Sequence, residues 1–226
     1  ENTLVIFMTD HGFSHARGKQ FLYDEGIHVR LVIAGPGVKA GAVRHDVVEH
    51  IDIAALSLAA AQIGVPDYMQ ARDILAKDYQ PRAAAFSARD RCDETVDHLR
   101  SVRSTRYIYI RNFLPARPLR QPCAYKDGKA ILQALRAWHT AGKLNDTQQL
   151  LFQPTRPQEE LYDLANDPHE INNLARDPKH AAMLKTMRGQ LDQWMQKTED
   201  HGRRPEPARM YDSDMALYLD KVCLLY

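Results

Sequence analysis

The chain is 226 residues long and 44% hydrophobic, enough apolar side chain for a sizeable core in one large domain or two small ones. Thirty Lys plus Arg stand against 29 Asp plus Glu, so the formal net charge is +1 and no global field points to nucleic acid or a membrane surface. No apolar run approaches the roughly 20 residues that cross a bilayer, and Cys92, Cys123 and Cys223 are too few and too scattered for a zinc framework or a complete disulfide set.

The first predicted element is Leu4 to Met8, L-V-I-F-M, which does not alternate and so reads as a strand buried on both faces inside a parallel sheet. It stops at Asp10 and His11, and Gly12 allows a sharp turn. Ligands gather beyond the carboxyl ends of such strands. A carboxylate and an imidazole there suit a divalent metal, although an isolated Asp-His pair serves equally as a turn cap and a surface histidine. The loop from Phe13 to Gln20 holds His15, Arg17 and Lys19, cations that favour an anion, with Arg17 taken as solvated. A second buried strand is expected over His28 to Ala34, closed by Gly35-Pro36-Gly37. Asp52 is expected to cap a helix through Ala54, Leu58 and Ala61 to Gly64.

Ala83 to Ala88 reads as another strand. After it, Arg89 to His98 is the densest polar cluster in the chain, either a binding loop or a solvated turn. Arg89, Arg91 and Asp93 have the chemistry to hydrogen-bond sugar hydroxyls or carboxylates, and Cys92 is read as an inert thiol. Leu99 to Val102 and Tyr107 to Arg111 predict an antiparallel hairpin, with Tyr107, Tyr109 and Arg111 opposite in face to Ile108 and Ile110. Pro115, Pro118 and Pro122 make an extended connection. Lys129 to Ala141 carries a helical stripe of Ile131, Leu132, Leu135 and Trp138, and Glu160 to Leu164 a short strand. Asp177 with Pro178 opens a long helix whose face of Leu184, Met187, Leu191 and Trp194 should lie on the small sheet. Gly202 ends it, Arg203 to Arg209 reads as a linker, and the tail from Met210 should wrap back onto the protein.

Two strings carry a resemblance. Strand, T-D-H-G (Thr9 to Gly12), Gly18-Lys19, Y-x-x-G (Tyr23 to Gly26), strand is one; E-L-Y-D-L (Glu160 to Leu164) followed by N-D-P-x-E-x-x-N-L (Asn166 to Leu174) is the other. Together they resemble the sulfatase family of the alkaline phosphatase superfamily, over Leu4 to about Met195. The family usually has Pro where Arg30 stands, and often Lys where Ile108 stands.

The resemblance implies an α/β fold, part of an alkaline-phosphatase-like α/β/α sandwich with a smaller C-terminal α+β subdomain made of an antiparallel sheet plus a long helix. Residues 1–90 would be the C-terminal part of the catalytic domain, 91–202 the small subdomain and 203–226 a linker and tail. It implies a metal-dependent hydrolase of sulfate esters; Arg89, Arg91 and Asp93 would suit a sulfated saccharide, and an aryl sulfate is equally allowed. Asp10 and His11 would supply half of a calcium site, a mixed pair that also admits magnesium or manganese. Lys19 would contact the sulfate in a catalytic role, with His15, Arg91 and Asp93 as further substrate-binding candidates.

The family nucleophile is a formylglycine made from a C/S-x-P/A-x-R motif, and none of the three cysteines has those followers. With Glu1 in place of an initiator Met, the chain is expected to be the C-terminal part of a longer protein. The N-terminal portion would then be its partner and carry the formylglycine, and the isolated 226 residues should be inactive. A periplasmic or extracellular location follows from the resemblance. A phosphonate or phosphodiester hydrolase of the same superfamily, or a noncatalytic binding or scaffold protein, are the alternatives.

Overall fold

The computed structural model describes residues 2–92, 94–202, 204, 206–212 and 215. Its first element, β1 (Val5–Met8), pairs with β2 (Leu31–Ala34) as an antiparallel ribbon, Val5 opposite Ala34 and Met8 opposite Leu31. The parallel setting expected for β1 is therefore corrected. Residues 9–30 do not cross over the sheet; they fold into a compact loop around one helical turn, α1 (Asp24–Ile27), and Thr9 donates to the Arg30 carbonyl at 3.3 Å, which returns the chain beside itself. The expected burial on both faces is corrected too. Val5 and Phe7 are 57% and 62% exposed, because β2 is the only strand paired with β1 among the described residues.

Helix α2 (Asp52–Ala60) forms where expected, but Asp52 is not its cap, since Ile51 occupies that position. Asp52 is wholly buried and receives both Arg82 guanidinium nitrogens, at 2.5 and 2.7 Å, and the backbone N–H groups of Glu49 and Arg72. Four donors on one carboxylate satisfy a charge that burial would otherwise make costly.

The larger sheet has four antiparallel strands in sequence order: β3 (Ala85–Cys92), β4 (Thr95–Arg103), β5 (Tyr107–Asn112) and β6 (Glu159–Asp163). The polar run Arg89 to His98 is thus a strand hairpin and not a loop, with a bulge between Arg89 and Arg91. Its charges pair inward: Asp97, fully buried, takes Arg156 through two bonds of 2.9 and 2.6 Å.

Alternation along β5 sends Tyr109 to one face and Ile108 and Ile110 to the other, as its sequence predicts. The Tyr109 face, with Val102 and Leu161, packs on Leu184, Met187, Leu191 and Met195 of α6 (Ala181–Lys197). Asp177 caps the short 3-10 turn of residues 178–180 that leads into this helix, accepting from the Lys179 N–H, and α6 stops at Lys197, short of Gly202. The Ile108 face packs on Phe21 and Tyr23, so the segment just after Lys19 belongs to the core of the sheet. Three shorter helices, α3 (Ala124–Asp127), α4 (Ala130–Thr140) and α5 (Asp146–Gln149), cover the connection from β5 to β6. In the predicted linker Glu206 meets Arg91 at 2.7 Å, and at the start of the predicted tail the Tyr211 hydroxyl donates to the Glu94 carbonyl; residues 213, 214 and 216–226 of that tail lie outside the described residues.

Candidate active site

The loop after β1 owes its shape to glycines that the chain crosses at close range. A Cβ on Gly12 would overlap the Glu25 carbonyl, and one on Gly18 would overlap the Phe13 carbonyl. In their place run backbone hydrogen bonds. Gly12 donates to Gly26, Phe13 to Glu25, and Lys19 to Phe13, at 3.0, 2.9 and 2.5 Å. Lys19 is therefore pinned beside Phe13, two positions from His11, although five residues separate it from Phe13 in the chain. Arg17, taken from sequence as solvated, instead clamps this loop: it donates to the His169 and Glu170 carbonyls and lies 4.1 Å over the Tyr23 ring.

Asp10 and His11 stand together at the ribbon's end. His11 Nδ1 lies 2.7 Å from the Gly12 carbonyl. A carbonyl only accepts, so Nδ1 is the donor, and the neutral ring then presents Nε2 as its metal-binding nitrogen. That Nε2 is 3.6 Å from Asp10 Oδ2, a separation two ligands of one ion can have, and the Asp10 side chain is 86% exposed. The donor set fits a divalent metal as two of its ligands. Among the described residues no group of three or more His, Cys, Asp or Glu is assembled to hold an ion.

A cleft of about 520 Å³ opens nearby, lined by Lys19, Phe21, Ile27, Ala88, Arg89 and Arg91 among others. It brings together Lys19 and Arg91, two of the residues proposed from sequence. Asp10, His11 and His15 are not in its lining. His15 packs edge-on against Phe13 at 5.7 Å, with its buried Nδ1 unpartnered, and Asp93 lies outside the described residues, as does Cys223. Lys19 Nζ sits 4.8 Å over the Tyr125 ring, whose hydroxyl is 3.5 Å from Ser14 Oγ. The Ser14 hydrogen bond and the Lys19 and Lys129 ammonium groups hold the Tyr125 phenol below its ordinary value.

The comparisons with known proteins meet this geometry. A sulfatase family model matches residues 1–63, the part that contains the Asp-His turn and Lys19. An ulvan-active sulfatase of Formosa agariphila is 32% identical over 208 residues, 91% of this chain and 35% of that protein. The chain belongs to the sulfatase family. Human N-sulphoglucosamine sulphohydrolase is 29% identical over 88% of the chain and 42% of its own length. The solved 2-O GAG sulfatase BT1596 shares the fold over 92% of the chain and 40% of its own, at a TM-score of 0.64 and 23% identity. This sulfatase-family chain thus spans 35–42% of the length of these curated relatives, within an alkaline-phosphatase-like mixed α/β fold.

Some residues in and behind this cleft were not legible in the sequence. Gln20 lies in the left-handed region at φ +81°, its carbonyl held by Arg89 Nη1 at 2.7 Å, and its side-chain Nε2 points to the Cys92 and Cys123 sulfurs at 2.9 and 3.6 Å. Lys126 donates from Nζ to the Lys19 carbonyl. No spacing signal joins Lys19 to Lys126, which are 107 residues apart; the Arg89-x-Arg91 pair on a strand was the one cue available.

Proposed function

We propose that the chain is the C-terminal portion of a metal-dependent sulfatase that removes sulfate from a sulfated saccharide. Residues 1–90 would complete the catalytic domain, 91–202 form the small subdomain, and 203–226 the linker and tail. The observation that carries the reading is the His11 ring, with Nδ1 held 2.7 Å from the Gly12 carbonyl and Nε2 set 3.6 Å from Asp10 Oδ2. Asp10 and His11 would hold a divalent cation, calcium first, with magnesium or manganese compatible with the same donors. When bound, that ion offsets charge on the sulfate oxygens.

The chain's own residues do the rest of the work assigned here. Lys19, fixed through its backbone to Phe13, brings an ammonium to the cleft edge, where it neutralises sulfate charge and the charge that grows on the leaving oxygen. Arg91 and Arg89 line the same cleft and give the saccharide donors for hydroxyls or carboxylates. His15 and Asp93 remain proposed substrate contacts. The formylglycine nucleophile would come from the N-terminal portion, so the isolated chain should not turn over. Among the described residues no helix is long and apolar enough to cross a membrane. A periplasmic or extracellular location is part of the proposal, in keeping with a relative named an extracellular sulfatase.

The test is sulfate release by the complete protein from a panel of sulfated monosaccharides and an aryl sulfate. Wild type should release sulfate, and Lys19→Ala should lower kcat/KM by about 10²-fold or more. Hydrolysis of phosphonate monoesters with no release from any sulfate ester would overturn the reading.

A further inference from the structure

Behind the cleft and sharing Gln20, Phe21 and Arg89 with it lies a second, smaller void, lined also by Thr95, Arg120, Cys123 and Lys126. Its volume is about 10 Å³, enough for one water-sized occupant. Arg89, Arg120 and Lys126 all line it, and no lining residue carries a carboxylate. Two neighbouring acids are committed elsewhere. Asp97 is 3.7 Å from Arg89 Nη1 but is already bound through both oxygens by Arg156, and Asp127 takes Arg136 and the Cys123 N–H.

Two further observations indicate that something is due there. Arg89 is 8% exposed, and its Nε is buried without a hydrogen-bond partner. Lys126 is 1% exposed; burial first, then repulsion from Arg120 and Arg89, pushes its ammonium down to about 8. Burial lowers Arg89 and Arg120 as well. A buried water would answer the orphan N–H and leave the repulsion in place. A negative charge would answer both.

We propose that this void is a binding site for one small inorganic anion of chloride size, held by Arg89, Arg120 and Lys126. The space admits a single atom-sized centre, which excludes a sulfate or a sugar carboxylate at this position. The site also has a consequence for the cleft. Arg89 holds the Gln20 carbonyl and Lys126 the Lys19 carbonyl, so an anion that orders both cations stiffens the backbone beneath Lys19.

Thermal unfolding of the complete protein would be followed in sodium chloride and in sodium gluconate at equal ionic strength, gluconate being too large for the void. Chloride should raise Tm saturably by about 2 to 4 °C over gluconate. Arg120→Gln and Lys126→Met should each abolish the difference. Arg120 is only partly buried, so that variant serves if Lys126→Met fails to fold. Crystals soaked in bromide should show an anomalous peak between the three cations. Equal Tm in the two salts, a chloride effect that survives in both variants, or a void without bromide signal would overturn the site. None of these readouts depends on sulfatase activity, so the anion site and the enzymatic reading can fail separately.

Discussion

The four-stranded sheet and the β1–β2 ribbon both carry apolar strands, yet they meet different surroundings. The sheet is covered on both faces, by α6 on one side and by Phe21, Tyr23 and Leu119 on the other, and Val102, Tyr109 and Leu161 are fully buried. The ribbon leaves Val5, Phe7 and Val32 more than half exposed. An apolar run fixes that a strand will form, whereas its burial depends on what chain is present to cover it. The sheet finds its cover within this chain, from Phe21 and Tyr23 as well as α6; the ribbon, in the reading proposed above, takes its cover from the N-terminal portion.

The largest expected effect lies in the sheet. Arg156→Leu would strand Asp97, fully buried, with Arg89 at 3.7 Å as its remaining cation, and should cost about 3–5 kcal/mol in urea unfolding. Leu191→Ala, in the contact between α6 and the sheet, should cost about 2–5 kcal/mol. The matched change in the ribbon, Phe7→Ala, should move the stability of the isolated chain by less than about 0.5 kcal/mol. In the complete protein the same change should cost more than about 2 kcal/mol. Equal small effects in both would break the comparison.

A smaller effect concerns pH. Burial pushes the Glu170 carboxyl up to about 8 from its ordinary 4.5, opposed by Arg17 and the Asp24 N–H. The folded state then holds a proton that the unfolded state releases above about 4.5, so this group's contribution is full at low pH and is lost as pH rises toward 8. Glu170→Gln should flatten the decline of Tm between pH 5 and 8 by about a few degrees. Lys126 acts over a separate window. Its lowered ammonium means that the unfolded state binds the extra proton between about 8 and 10.5, where stability should recover with pH.

Much of the fold was legible because local pattern and final packing agree. Alternation along Tyr107 to Arg111 separates the two faces of β5, and the three-four spacing of Leu184, Met187 and Leu191 gives the buried face of α6. The failures have physical causes. Arg89 to His98 looks like a surface loop because it is charged, but Arg89 pairs with Asp97 and Asp90 with Arg100 across the two strands, which a linear reading cannot show. Asp52 has the chemistry of a cap, yet Arg82, 30 residues away, claims its carboxylate. At the site, the glycines and the Asp-His turn were visible as motif, while the lock on the His11 tautomer and the approach of Lys126 to Lys19 depend on contacts that only the folded chain makes.

The most direct measurement is calorimetric titration of calcium into the chelator-stripped complete protein, wild type against Asp10→Ala and His11→Ala. The account predicts stoichiometric binding by wild type and an affinity at least about 10-fold weaker in each variant, with folding retained by circular dichroism. Calcium binding of unchanged affinity in both variants would show that the Asp10–His11 pair holds no metal and would contradict the account.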